Sequence, residues 1–63
     1  MAKVRAIFYG LGAGRYNVRF KEQGITGNIE FVATDGTDLE YLWIDFASEH
    51  GFDIGSIFEV ETL

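Results

Sequence analysis

TDLEYLWIDFASEHG, residues 37–51, decides the fold, because its hydrophobic residues recur at helical spacing and those of the flanking segments do not. The segment contains the only tryptophan and four of the ten acidic residues of the chain. One stripe of the helix is expected to face a core: Leu39, Leu42, Trp43, Phe46 and His50, with Ala47 at its edge.

The ends of this helix carry recognisable signals. Thr37 and Glu40 have the spacing of a capping box, in which two side chains bond to free N–H groups of the first turn. Asp35-Gly36 interrupts the preceding segment, and Gly51 suits the left-handed conformation that often ends a helix. The sequence therefore predicts one helix that begins near Thr37 and ends at Gly51.

The flanking segments alternate between apolar and polar residues, which is typical of half-buried strands. Glycine-containing segments at 10–14 and 24–27 separate the first three of them and predict hairpin turns. The four predicted strands are residues 3–9, 15–22, 28–34 and 56–62. Residues 1–63 are thus expected to form a single small α+β domain with the element order β-β-β-α-β.

The charge distribution predicts the order of the strands. All five Lys and Arg lie between residues 3 and 21, and all ten Asp and Glu lie between residues 22 and 61. In the first hairpin Arg5 would face Arg19, and like charges opposite each other are unfavourable. Placing the last strand beside the first would bring Glu59 near Arg5. We therefore expect a four-stranded mixed sheet of order 3-2-1-4, with the last strand parallel to the first and the helix packed on one face.

Composition argues against an enzyme. The chain has no Cys and a single histidine, His50, for which no Ser or Asp partner can be assigned. The acids around Asp35 lack the spacing of a calcium loop, and the glycines at 10–14 are followed by a strand where a phosphate loop needs a helix. We expect no catalytic residue, no cofactor and no metal. No apolar stretch has membrane-spanning length, so a soluble, cytoplasmic protein without membrane contact is predicted.

The outer face of the helix is the predicted protein-binding site. A solvated face rarely carries Tyr and Ile together, and surrounding acids would steer a partner. The alternative is an ordinary solvated face, because single exposed apolar residues are common. Its residues are Asp38, Tyr41, Ile44, Asp45, Ser48 and Glu49. We expect a small acidic inhibitor or adaptor, of the accessory kind encoded by phages, that docks onto another protein. In a sharper form, a row of carboxylates imitates nucleic acid: Asp38, Glu40, Asp45, Glu49 and Asp53.

The alternative function is a regulator that binds nucleic acid through the basic N-terminal hairpin. The residues of this patch are Lys3, Arg5, Arg15, Arg19 and Lys21. A net charge of −5 repels a polyanion, so a charge ladder balanced by Glu30, Glu59 and Glu61 is favoured, with Lys21 facing Glu30.

Two routes to a homodimer remain open. One is an apolar patch on the open sheet face: Ile7, Tyr9, Val32 and Ile57. The other is edge pairing through the strand at 28–34.

Overall fold

The structure, a computed structural model, describes residues 7–63 and shows an antiparallel sheet with one long helix on one face. Its elements are strand β1 (Gly14–Glu22), strand β2 (Ile25–Ala33), helix α1 (Gly36–His50), a 3-10 turn (Ile54–Ser56) and strand β3 (Ile57–Thr62). The sheet order is β2-β1-β3, and β1 is antiparallel to both neighbours. The α+β class is confirmed, whereas the four-stranded mixed sheet is wrong.

The first predicted strand accounts for much of this difference. Residues 1–6 lie outside the described residues, but Ile7 and Phe8 are helical and lead into a turn. The Leu11 N–H donates to the Phe8 carbonyl over 3.3 Å, and the Phe8 side chain is buried in the core. The alternation was already imperfect here, since apolar Ile7 and Tyr9 fell on the face assigned to charged residues.

The last strand consequently has a different neighbour. β3 pairs directly with β1, antiparallel, and Glu59 lies opposite Arg19. Their carboxylate and guanidinium groups are 3.4 Å apart. The expectation that acids of the last strand lie beside basic residues is correct, but the predicted parallel pairing with residues 3–9 is wrong.

The hairpin between β1 and β2 is tighter than predicted. Its turn consists of Gln23 and Gly24 rather than residues 24–27, and Glu22 pairs with Ile25. The φ angles of Gln23 and Gly24 are 52° and 80°. A two-residue hairpin matches the twist of its strands when both central residues have positive φ, which explains the turn.

The core lies between α1 and the sheet. Its buried residues are Phe8, Tyr16, Val18, Phe20, Ala33, Leu39, Trp43, Ala47 and Ile57. The ring centroids of Trp43 and Phe20 are 5.5 Å apart, and the indole N–H donates to the Ile54 carbonyl over 2.9 Å. The predicted inner stripe is therefore largely correct, although His50 at its end is exposed.

The helix begins one residue earlier than predicted and uses another cap. Asp35, not Thr37, is the N-cap residue, and its carboxylate accepts the Asp38 N–H over 2.8 Å. The Asp38 carboxylate in turn accepts the Thr34 N–H over 2.8 Å. The pair resembles a capping box, except that Asp38 accepts the N–H of Thr34, the residue before the N-cap. Gly51 ends the helix with φ 70°, as predicted.

A bulge in β3 changes which residues face the core. Arg19 pairs with Glu59 and Phe20 with Ile57, so Phe58 is an extra residue in β3. Ile57 is therefore buried, and the open-face patch predicted to include it is wrong.

Candidate protein-binding surface

The face of α1 that points away from the sheet carries an exposed tyrosine among acids. Tyr41, Asp45 and Glu49 follow at intervals of four, which places them in one line along the helix. Tyr41 is 64% exposed, and Asp45, Ser48 and Glu49 are also exposed. Ile44 is half-buried beside them. These five residues are called the outer stripe below.

Asp38 belongs to the helix cap rather than to the outer stripe. Its carboxylate is half-buried and accepts the Thr34 N–H, so it has a structural partner. The sequence predicted Asp38 as a binding residue because it lies on the outer face of the helix. Once the cap lies at Asp35, Asp38 takes the position whose side chain bonds back across the first turn.

A groove runs beside the first half of α1. It has a volume of about 500 Å³ and lies between the turn that follows Phe8 and the helix. The turn contributes Tyr9, which is 85% exposed, and the helix contributes Tyr41 and Ile44. The groove thus places Tyr9 beside two residues of the outer stripe, Tyr41 and Ile44.

A glycine allows the turn to approach the helix this closely. The Gly36 N–H donates to the Leu11 carbonyl over 2.8 Å, and Gly36 itself is buried. A Cβ at position 36 would overlap the Phe8 carbonyl oxygen. The geometry of the groove therefore depends on Gly36.

Tyr9 is the residue of this surface that the sequence prediction missed, because residues 3–9 were assigned to a strand. Two signals favour the observed turn. Ile7 and Tyr9 break the alternation, and Gly10 follows immediately. Gly10 adopts φ 82°, a left-handed conformation of the kind that ends helical turns.

The predicted row of nucleic-acid-mimicking carboxylates is shorter in the structure. Asp38 serves the cap of α1, and Asp53 accepts a main-chain N–H of the 3-10 turn over 3.1 Å. Asp45 and Glu49 are exposed on the outer stripe. This surface therefore presents a tyrosine with flanking acids more than a continuous line of negative charge.

The three basic residues that the structure describes lie on the opposite side of the molecule. Arg15, Arg19 and Lys21 occupy alternate positions of the central strand and point away from α1, while Lys3 and Arg5 lie outside the described residues. Tyr9, which the open-face patch also included, is not on this face but in the groove.

Glutamates on the neighbouring strands offset these cations. The Arg15 guanidinium lies 3.1 Å from the Glu30 carboxylate, and Arg19 pairs with Glu59. Lys21 faces Thr26 instead of the predicted Glu30, because the hairpin turn is only two residues long. The described part of this face has three cations and three carboxylates, the third being Glu61 opposite Asn17.

The structure shows no arrangement suited to metal binding within residues 7–63, where no three His, Asp or Glu side chains are grouped closely enough to hold an ion. His50 is exposed at the helix end, with its ring centroid 4.3 Å from that of Phe46 and its Nδ1 2.9 Å from the Phe46 carbonyl oxygen. These contacts give His50 a structural role at the end of the helix.

Comparison with known proteins gives no relative. No protein-family model, no curated protein and no solved structure matches the chain. Within residues 7–63 no helix combines the length and the apolar character that crossing a membrane requires.

Proposed function

We propose that this chain is a non-catalytic binding protein that docks onto another protein through the outer stripe and the adjoining groove. The observation that carries the proposal is the exposure of Tyr41 in the middle of α1, with Tyr9 across the groove. The helix packs on the sheet through its other side, so the fold does not require a tyrosine at position 41.

The chemistry of this surface suits a basic protein partner. Tyrosine rings supply large contact area at a low cost in conformational entropy and are enriched among residues that dominate binding energy. Ile44 adds apolar area beside Tyr41, and the carboxylates of Asp45 and Glu49 attract Lys and Arg of a partner. The net charge of −5 adds long-range attraction to a basic surface.

A protein that covers a basic surface in this way acts as an inhibitor or adaptor, because it competes with the anionic ligands of that surface. A nucleic-acid-binding enzyme in the cytoplasm is the partner class that fits best. The alternative, direct binding of nucleic acid through Arg15, Arg19 and Lys21, has less support because Glu30 and Glu59 pair with two of these cations.

Charge reversal tests the proposal. Asp45→Lys with Glu49→Lys changes the outer stripe, and Glu59→Lys with Glu61→Lys makes the same change in net charge on the opposite face. The wild type and both variants are purified and used to capture partners from the native host. The affinity of all three proteins for the captured partner is then measured.

We expect the Asp45/Glu49 variant to lose at least about tenfold in affinity, since close charge pairs at interfaces contribute 1.5 kcal/mol or more. The Glu59/Glu61 variant should bind like the wild type, and circular dichroism checks that both are folded. Equal binding by all three proteins, or equal loss in both variants, would contradict the proposal.

A further inference from the structure

In the part of the chain that the structure describes, the outer edge of β2 is open. Among residues 7–63, β2 pairs with β1 alone. The Leu63 N–H donates to the Arg15 carbonyl over 2.9 Å. The main-chain groups of odd-numbered residues of β1 therefore point to β3, and those of even-numbered residues point to β2. Given the register of β1 with β2, the main-chain groups that point to the open edge belong to Thr26, Asn28, Glu30 and Val32.

The two edges of the sheet differ in their protection against further pairing. β3 is six residues long, contains the bulge at Phe58 and carries Glu59 and Glu61. β2 is nine residues long, pairs with β1 without interruption, and has no proline and one charged residue, Glu30. Bulges and charges are the usual devices that keep an edge from pairing, and β2 has few of them.

The apolar row of β2 is also incompletely covered. On β1 the corresponding row is buried, whereas Ile29 and Phe31 of β2 are only half-buried and Ile25 is 72% exposed. Beside them the Phe20 ring of β1 covers Gly27, since a Cβ at position 27 would lie 2.8 Å from that ring. A hollow of about 220 Å³ lies next to the same ring. The edge thus has an incompletely covered apolar row, and a hollow lies next to it.

We propose that two copies of this chain form a dimer by antiparallel pairing of their β2 edges, with Ile29 facing Ile29 of the second copy. In this register Phe31 of one copy lies opposite Gly27 of the other, where its ring can contact the Phe20 ring that covers this glycine. Glu30 lies opposite Asn28 of the second copy, where an amide can donate to the carboxylate. A shift centred on Glu30 would place two carboxylates directly opposite each other, which is unfavourable.

The dimer has a consequence for docking. The two-fold axis is perpendicular to the sheet, so the two three-stranded sheets form one continuous sheet with both helices on the same face. Both outer stripes stay exposed, and one dimer offers two docking surfaces to a repeated or dimeric partner. The dimer rests on the β2 edge and is independent of the function proposed for the outer stripe.

Proline at the open edge tests the pairing. Asn28→Pro removes an N–H that points to the edge and leaves the bonds between β1 and β2 intact. Thr62→Pro is the matched control, because its N–H points to the outer edge of β3. Sedimentation equilibrium over a range of concentrations should show dimers for the wild type and Thr62→Pro, and monomers for Asn28→Pro. A wild type that stays monomeric, or an Asn28→Pro variant that dimerises like the wild type, overturns the proposal.

Charge at the same position tests the register without a backbone change. Asn28→Glu places carboxylates opposite Glu30 of the second copy and should weaken association roughly tenfold, whereas Asn28→Lys should not weaken it. Within one chain Asn28 faces Arg19, so the monomer stability should change in the opposite direction. Equal weakening of association by both substitutions overturns the register. If association instead weakens only in the variant whose monomer is less stable, the dimer interface is overturned.

Discussion

The two sides of α1 differ sharply although they belong to one helix. Leu39, Trp43 and Ala47 on the inner side are completely buried against the sheet, whereas Tyr41 and Asp45 on the outer side are exposed. The inner side is fully explained by the fold, because each of its residues fills space in the core. The outer side is not, since a lysine or serine would satisfy an exposed helix position equally well. The comparison therefore separates residues that stabilise the fold from residues available for binding.

Removal of the tryptophan should have the largest effect on stability. Trp43→Ala leaves a cavity under the helix and deletes the bond to the Ile54 carbonyl, so we expect a loss of about 3–5 kcal/mol in the free energy of unfolding. A domain this small has little stability to lose, so we expect the variant to be largely unfolded. Urea denaturation followed by circular dichroism measures the loss, and a near-native midpoint would contradict the assignment of Trp43 to the core.

The next largest effect is expected at the glycine that joins the groove to the helix. Gly36→Ala brings a methyl group into the Phe8 carbonyl and should lower the free energy of unfolding by about 1–3 kcal/mol. Gly12→Ala is the control, because a Cβ there meets no atom within 4 Å. Partner affinity should also fall for Gly36→Ala, since the turn that carries Tyr9 must move. Equal stability of both variants in thermal unfolding would show that the close approach is absent.

Substitution of the helix cap should have a smaller effect. Asp35→Ala removes the acceptor of the Asp38 N–H and should cost about 1 kcal/mol in the free energy of unfolding. Thr37→Ala, at the cap position that the sequence favoured, should cost much less. Chemical denaturation of the two variants distinguishes the caps, and the reverse order of effects would restore the capping box at Thr37.

The smallest effect on stability is expected at the outer stripe, where the effect on binding should be large. Tyr41→Ala should change the free energy of unfolding by no more than about 0.5 kcal/mol, as exposed substitutions usually do. Its affinity for the partner should fall by about 2 kcal/mol if Tyr41 is an anchor. Parallel denaturation and binding measurements test both statements, and a stability loss comparable to that of Trp43→Ala would remove the distinction between the two sides of the helix.

Local patterns predicted the helix and the central strand well. The helical spacing of Leu39 and Trp43 and the alternation of Tyr16, Val18 and Phe20 are each set by contact with one core, so period and burial agree. Gly51 was recognisable because few other residues adopt its φ angle at low cost.

Tertiary contacts decided the features that the sequence did not predict. The turn after Phe8 depends on its approach to Gly36, which is 28 positions away by residue number. The bulge that buries Ile57 appears only when β3 pairs with β1. The groove combines Tyr9 with Tyr41 only because the turn after Phe8 packs against the helix. The helix half of the candidate surface could therefore be predicted from local sequence, and the half that contains Tyr9 could not.

The most direct test of the binding surface is site-specific photo-crosslinking in the native host. A photoreactive phenylalanine replaces Tyr41 in one protein and Phe58, which is 51% exposed on β3, in the other. Both positions are exposed aromatics on different sides of the molecule, so each reports contact at its own surface. We expect a crosslink to a host protein from position 41 and none from position 58. Crosslinks from position 58 alone, or crosslinks to nucleic acid alone, would contradict it.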